Sequence, residues 1–356
     1  MSIPLSKTAL MRLSPDEIKN RLSQKGVVHP SQIEIQPLTG DASTRRYFRL
    51  ILDTRIASDD SNTLMAMQLD EPEQGEMDWL LIQDYLANLN LPVPKVYDYF
   101  KEDGILVLED LGDITLEQRL QDAEPSQVDL WMDKAVDLIA TLQSKAVIPK
   151  SPAFERRFDV EKLMWEFDFM LEHYAVGLLG NPPPEGLLKK LRAEMTSLCT
   201  RLEAITPCYC HRDYHSRNLM VRGDQLVLID FQDARLGPPQ YDLVSLLRDS
   251  YHPLPESTVR KKTERFLQKK EALENKPIDR EEFLVGFDLM AIQRGLKAIG
   301  TFAYQKTVLG NARYEPCIAG TLPNVKHALS RRPELTKLKN ALQEALPPLQ
   351  NSADLL

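Results

Sequence analysis

At 356 residues, with 43% hydrophobic and 27% charged side chains, the chain has the composition of a folded globular protein with room for one large or two ordinary domains, two being the natural count, and nothing in it suggests long disorder. A net charge of −8 argues against a nucleic-acid or membrane-surface partner, since both need a concentrated positive face, and a small-molecule ligand fits better. No run approaches the roughly 20 apolar residues of a membrane span, and no signal peptide is visible at the start, so a cytoplasmic protein with reduced thiols is expected. The oligomeric state is left open, with a monomer favoured.

Ser14-Pro15-Asp16-Glu17 is an N-cap followed by proline and acids, and predicts a short helix ending at Gly26. Ile33 to Leu38 and Arg45 to Leu52 read as strands on either side of Thr39-Gly40-Asp41-Ala42-Ser43-Thr44, a small-residue loop with one glycine. That unit is either an ordinary hairpin or a flap over phosphates. In the second case Arg45 and Arg46, at the loop's exit, are cations able to grip phosphate oxygens with a two-pronged donor set; in the first, one is solvated and the other lies on a sheet edge.

Thr63 to Leu69 is a third strand, and it holds no lysine. From Glu73 to Leu89, Met77, Leu80, Leu81, Tyr85 and Leu89 recur at helical spacing and predict a helix packed on the small sheet. Glu76 near its start suits the helix dipole, and could alternatively face phosphates. Val96 to Phe100 and Ile105 to Leu108 form a hairpin. Glu109-Asp110-Leu111-Gly112 then begins a hinge, where a strand edge exposes backbone groups that could hydrogen-bond an adenine.

Val128 to Leu142, Leu163 to Tyr174 and residues 187 to 204 have helical periodicity. Cys208-Tyr-Cys210-His211 lacks the spacing and second pair of a zinc site, so buried strand cysteines are expected. Gly237 to Leu243 opens a helix through Leu247, in which Asp242 by itself reads as a cap. Arg260 to Lys276 is densely charged and predicts a solvated helix with a mobile connection. A further helix runs past Phe283 and Phe287, with Arg294 and Lys297 on one face, either snorkelling at a core rim or reaching an anion in a substrate cleft. The tail from Pro347 is expected to fray.

The chemistry is concentrated between Tyr209 and Asp233. His211-Arg212-Asp213 is followed by Asn218, and Asp230 closes the apolar run Leu226-Val-Leu-Ile. Leu219-Met-Val and that run look like two strands turned by Arg222-Gly-Asp-Gln, a hairpin that returns Asp230 beside Asn218. An amide oxygen and a carboxylate facing one volume suit magnesium, a hard cation that completes its shell with water and phosphates. Base, first metal ligand, second metal ligand is the order of a phosphotransferase, with Asp213 reaching a substrate hydroxyl. His215, two residues beyond, is placed either to touch the substrate or to be held by loop backbone.

These residues resemble the aminoglycoside phosphotransferase group of the protein-kinase-like fold. Within it, Gly40 to Arg49, Leu108-Glu-Asp-Leu-Gly112, His211 to Asn218 and Gln293-Arg-Gly-Leu-Lys297 look like the bacterial anomeric sugar kinases. The resemblance implies an α+β protein with an antiparallel-sheet lobe over residues 1–110 and a larger helical lobe over 111–356. It also implies transfer from ATP, with Mg2+, to the C1 hydroxyl of N-acetylmuramate or N-acetylglucosamine, in cell-wall sugar recycling. Asp213 would be the base, Asn218 and Asp230 the metal ligands, and Asp242 a brace for the loop that begins at His211. Gly40, Asp41, Ala42, Ser43, Thr44, Arg45, Arg46, Glu109 and Leu111 would contact nucleotide, and His215, Arg294 and Lys297 the sugar. The lysine-free strand, near Met67 and Gln68, is similar to that branch. Two other readings compete: a kinase of another alcohol or of an aminoglycoside, drawn by Glu166, Asp168 and Glu172, and a nucleotide-binding regulator without catalysis.

Overall fold

The structure is a computed structural model, and it describes residues 13–24, 33–38, 45–53, 62–69 and 77–350. The chain forms two compact units, one of Met1–Leu81 with Pro92–Asp113 and the other of Ile82–Leu91 with Ile114–Leu356. Among the described residues no helix is long and apolar enough to cross a membrane.

The first unit is built on one antiparallel sheet. Its strands are β1 (Ile33–Leu38), β2 (Arg46–Leu52), β3 (Thr63–Gln68), β4 (Val96–Phe100) and β5 (Ile105–Glu109), in the spatial order β1-β2-β3-β5-β4. Phe48, Leu50 and Leu52 alternate inward along β2, as a period of two requires, and they meet Leu64, Ala66, Ile105 and Val107. Helix α1 (Pro15–Gln24) closes this core with Ile18 and Leu22, one turn apart. Its start is a capping pair: Ser14 N–H donates to the Glu17 carboxylate at 2.7 Å, and Glu17 N–H to Ser14 Oγ at 3.3 Å. Helix α2 (Asp78–Asn88) is divided, its residues from Ile82 belonging to the second unit, so α1 is the helix that joins the sheet's core.

The hinge segment leaves an interior strand, not an edge: β5 pairs with both β3 and β4. Glu109 N–H donates to the Lys95 carbonyl at 2.9 Å, and the Glu109 carboxylate accepts from Lys95 N–H at 3.0 Å. Arg49 straps the following residues, donating from Nε to Asp110 at 2.6 Å and from Nη2 to Asp113 at 2.8 Å. Asp110 also accepts from Gly112 N–H at 3.0 Å, and Gly112 takes φ 79°, which a glycine adopts without steric cost.

The second unit is mainly helical. It contains α3 (Leu116–Leu120), α4 (Pro125–Lys145), α5 (Val160–Met170) and α6 (Glu185–Glu203), then β6 (Cys208–Cys210), β7 (Leu219–Arg222), β8 (Gln225–Leu228) and β9 (Arg235–Gly237). Helices α7 (Gln240–Leu247), α8 (Glu256–Glu274), α9 (Arg280–Thr307), α10 (Glu315–Ser330) and α11 (Thr336–Ala345) complete it. The α5 periodicity continues into a π-helix, Leu171–Leu178. Helix α9 is buried along most of its length and crosses α5 closely at Gly300, where an added Cβ would lie 2.6 Å from Met170 Cα. Cys210 is buried and Cys208 half-buried in β6, and both are free thiols.

Two expectations are corrected. Helix α8 is not simply solvated: Phe266 and the whole Lys262 side chain are buried, with Lys262 Nζ donating to the Asp129 carbonyl at 2.8 Å and pairing with the Asp129 carboxylate at 2.7 Å. Asp129, Asp133 and Asp137, one turn apart on α4, receive Lys261, Lys262 and Arg265 of α8. Its connection is tied as well, since Ile278 N–H and Arg280 both donate to Glu271. The tail does not fray at Pro347, because Pro347–Leu349 forms a 3₁₀ turn that buries Leu349.

Candidate active site

Local pairing places the functional residues. In the β7–β8 hairpin Leu219 opposes Leu228 and Arg222 opposes Gln225, with Gly223 at φ 60° in the turn. Ile229 N–H donates to the Asn218 carbonyl at 3.2 Å, which extends the ladder and brings Asp230 alongside Asn218. Asp230 has φ 62° there, a conformation that Asp and Asn tolerate better than most residues. Asn218 Nδ2 lies 3.3 Å from Asp230 Oδ2, 2.9 Å from the Asp213 carbonyl and 3.4 Å from His215 Nε2. Gln232 Nε2 donates to the other Asp230 oxygen at 2.9 Å.

The loop before the hairpin is held from α7. Asp242 is fully buried and accepts both the His211 N–H (2.7 Å) and the Arg212 N–H (2.9 Å). Burial pushes its carboxyl up to about 7, against the pull of those two donors and of Arg294. The β6–β9 pair, in which Cys210 opposes Arg235, brings the start of this loop to the chain that leads into α7. Asp242 is thus a brace, not a cap. Asp242→Ala leaves two buried N–H groups without acceptors, each worth about 1–3 kcal/mol, so urea denaturation should show a loss of order 3 kcal/mol together with reduced turnover. A loss under about 1 kcal/mol would show that the loop holds its shape without this carboxylate.

Asp213 is the charged centre of the site. Its side chain is 22% exposed, with Oδ1 3.3 Å from Lys297 Nζ and Oδ2 3.8 Å from an Arg212 nitrogen. Burial by itself would raise this carboxyl, but Lys297 and Arg212 outweigh it and hold it well below the usual carboxylate range. Arg212 is fixed in turn at φ 83° by an ion pair to Asp233 at 2.8 Å. Burial pushes His215 down to about 3, so its ring is neutral, and it meets Tyr251 edge-on at 5.3 Å. His211 is buried beside Tyr214, and burial lowers it also.

A cavity opens beside Asp213, lined by His215, Asp249, Tyr251, Arg294, Lys297, Thr301 and Phe302 among others. It therefore unites three residues read from the sequence as substrate contacts, His215, Arg294 and Lys297, with the candidate base. Among its lining residues Asp249 and Tyr251 were missed, as was Arg217, which packs on Tyr251. Asp249 accepts Ser216 N–H at 2.9 Å and Ser216 Oγ–H at 2.6 Å, fixing the turn before Asn218. Arg217 is held by Glu117 at 2.8 and 3.0 Å and lies 3.8 Å from the centre of the Tyr251 ring. Asp249 lies just past the Arg248 C-cap of α7, beyond the helical pattern, so periodicity gave no signal for it.

Two of the three acids that suggested a polycationic substrate are engaged elsewhere. Glu166 is buried and accepts from Gln293 Nε2 at 2.9 Å, and Asp168 pairs with Arg192. Glu172, the third, is beside His173 at 4.0 Å and is largely exposed.

Of the residues expected to contact nucleotide, Gly40, Asp41, Ala42, Ser43 and Thr44 lie outside the described residues, as does Glu76. Arg45 immediately precedes β2. Arg46 Nη1 donates to the Leu13 carbonyl at 2.9 Å and to Gln68 Oε1 at 3.2 Å, so this cation adjoins the lysine-free strand β3. Glu109 has its N–H and carboxylate engaged by the Lys95 backbone.

The donor set fits magnesium. Among the described residues no group of three or more His, Cys, Asp or Glu could hold a metal. Asn218 and Asp230 are adjacent side chains that each carry a hard oxygen, and with Asn218 Nδ2 directed at the Asp213 carbonyl its Oδ1 is left for a cation. Two protein ligands suit an ion that brings waters and phosphate oxygens with it.

Comparison with known proteins agrees with this arrangement. The Phosphotransferase enzyme family matches residues 34–274. An N-acetylmuramate/N-acetylglucosamine kinase of Pseudomonas aeruginosa is 32% identical over 320 residues, 89% of each chain. One of Neisseria meningitidis serogroup B is 29% identical over 332 residues, 92% of this chain and 95% of that one. Among solved structures, an ethanolamine kinase of Plasmodium vivax superposes with a TM-score of 0.57 at 15% identity, covering 90% of this chain and 89% of that chain, which establishes the protein-kinase-like fold.

Proposed function

We propose, from the premise that this chain belongs to the Phosphotransferase enzyme family, that it is an ATP-dependent kinase acting on the anomeric hydroxyl of N-acetylmuramate and N-acetylglucosamine. The observation that carries this reading is the position of Asp213, which lines the acceptor cavity while its carbonyl binds Asn218, itself in contact with Asp230. One carboxylate thus stands between a small-molecule pocket and a pair of magnesium ligands.

In the reaction the sugar C1 oxygen forms a bond to the γ-phosphorus of ATP as the bond to the β–γ bridging oxygen breaks, releasing ADP. Asp213 orients the C1 hydroxyl and takes its proton, late in a loose transition state. Asn218 and Asp230 would hold a magnesium ion, whose charge would offset that on the phosphate oxygens. Asp242 keeps the His211–Asp213 backbone in place, so positioning supplies much of the rate. His215, neutral and in the cavity wall, contacts the sugar. The family resemblance assigns nucleotide contact to Gly40 to Thr44, Arg45, Arg46, Glu109 and Leu111. The product is an α-1-phosphate, used in cell-wall sugar recycling in the cytoplasm.

A panel of acceptors tests the substrate. With ATP and Mg2+, ADP release should be fastest with the two N-acetyl sugars and weak with aminoglycosides or choline. Preference for a polycationic acceptor would overturn the reading, as would ATP binding without transfer to any sugar.

A further inference from the structure

Arg294 is the one cation in the cavity wall whose role the site leaves open. Its side chain is 7% exposed, and its buried Nε has no hydrogen-bond partner among the described residues. An arginine carries five donors and stays charged, so burial without acceptors costs stability unless something else answers it. Lys297, one turn further along α9, is engaged with Asp213 at 3.3 Å. The acids facing Arg294 are Asp213, Asp242 and Asp249, and each is held by other donors. Asp213 has Lys297 and Arg212, Asp242 has the His211 and Arg212 N–H groups, and Asp249 has Ser216 and the Tyr251 N–H. Arg294 therefore influences these carboxylates through space while its Nε is without a partner among the described residues, on the wall of the same cavity.

We propose that Arg294 is the acid-recognition residue of the acceptor pocket: a buried guanidinium, with its Nε unpartnered among the described residues, that receives a carboxylate carried by the sugar. This rests on the reading above and deepens it. The two sugars in the relatives' names differ in that the muramate carries a lactyl carboxylate and the glucosamine does not. A planar two-pronged donor matches that group. Two other sources of occupancy are possible for such a fork. The transferring phosphoryl group is a second anion, and simple charge balance for the three buried acids is a structural alternative.

The test compares kcat/KM for N-acetylmuramate and N-acetylglucosamine in the native protein, in Arg294→Gln and in Arg294→Lys, with melting temperatures as a check on folding. The muramate-to-glucosamine ratio should fall by roughly 10- to 100-fold in Arg294→Gln, and Arg294→Lys, which keeps charge without the fork, should recover only part of it. Equal losses with both sugars would overturn the proposal and favour the phosphoryl or the charge-balance role; a native protein that accepts only the neutral sugar would overturn it too. Calorimetric binding of N-acetylmuramate separates this inference from the reading beneath it. If the native protein binds muramate at least about tenfold more tightly than Arg294→Gln but transfers no phosphate, the acid site stands and the kinase reading falls. If both sugars turn over and the ratio is unmoved, the kinase reading stands and the acid site falls.

Discussion

Asp213→Asn is expected to lower turnover by roughly 10²–10⁴-fold, the usual scale for loss of a general base. The substitution keeps the size of the side chain and removes its charge. What it takes away is the acceptor for the sugar's C1 proton and the anion that fixes Lys297 at 3.3 Å. Because Asp213 is held well below the ordinary carboxylate range, it is a weak base in the free protein, so orienting the hydroxyl matters more than pulling its proton early. An anomeric hydroxyl, more acidic than a simple alcohol, asks less of the base. The depressed carboxyl also makes a statement about pH. A lowered folded value contributes stability that is present above the unfolded value near 4 and is lost only as pH falls through the lower folded one, so between about pH 5 and 8 the difference in melting temperature between native and Asp213→Asn proteins should be constant. Near-native turnover in the variant would remove Asp213 from the chemistry.

Asp230→Asn should cost at least ~10²-fold in turnover at limiting Mg2+, partly recovered at high Mg2+, since even outer partners of a metal ligand are worth about 10–100-fold in metal affinity. Asparagine is the informative replacement because the backbone there has φ 62°, which Asn accepts readily, whereas alanine would add strain and confuse the result. The amide keeps one oxygen and loses the charge. Gln232, which donates to Asp230 Oδ1, can still find an acceptor, so folding should be little affected. The measurement is the Mg2+ dependence of initial rate. An unchanged dependence would place the metal elsewhere.

Much of this site was legible because its key contacts are local. The two short apolar runs Leu219–Val221 and Leu226–Leu228, with a Gly-Asp turn between, are enough to specify the hairpin and hence the meeting of Asn218 with Asp230. The resemblance carried Asp242 from an apparent helix cap to a brace for His211 and Arg212; periodicity could not, since the contact depends on a three-residue β6–β9 pair too short to announce itself. Arg294 and Lys297 were legible as a pair on one helical face, but their separate conditions were not: Lys297 engaged by Asp213, Arg294 Nε without a partner among the described residues. The failure at α8 has the same origin. A dense run of charge reads as solvated until its partner is known, and the partner is the Asp129, Asp133 and Asp137 stripe on α4, more than a hundred residues earlier.

The central claim is phosphoryl transfer to the anomeric oxygen, and phosphorus NMR of the product tests it most directly. The protein is incubated with Mg2+, ATP and N-acetylglucosamine or N-acetylmuramate, and the product's phosphorus is correlated with the sugar protons. The predicted result is a phosphorus coupled to H1 of an α-configured sugar. Phosphorus coupled to the protons of C6 or of any other ring position would contradict it.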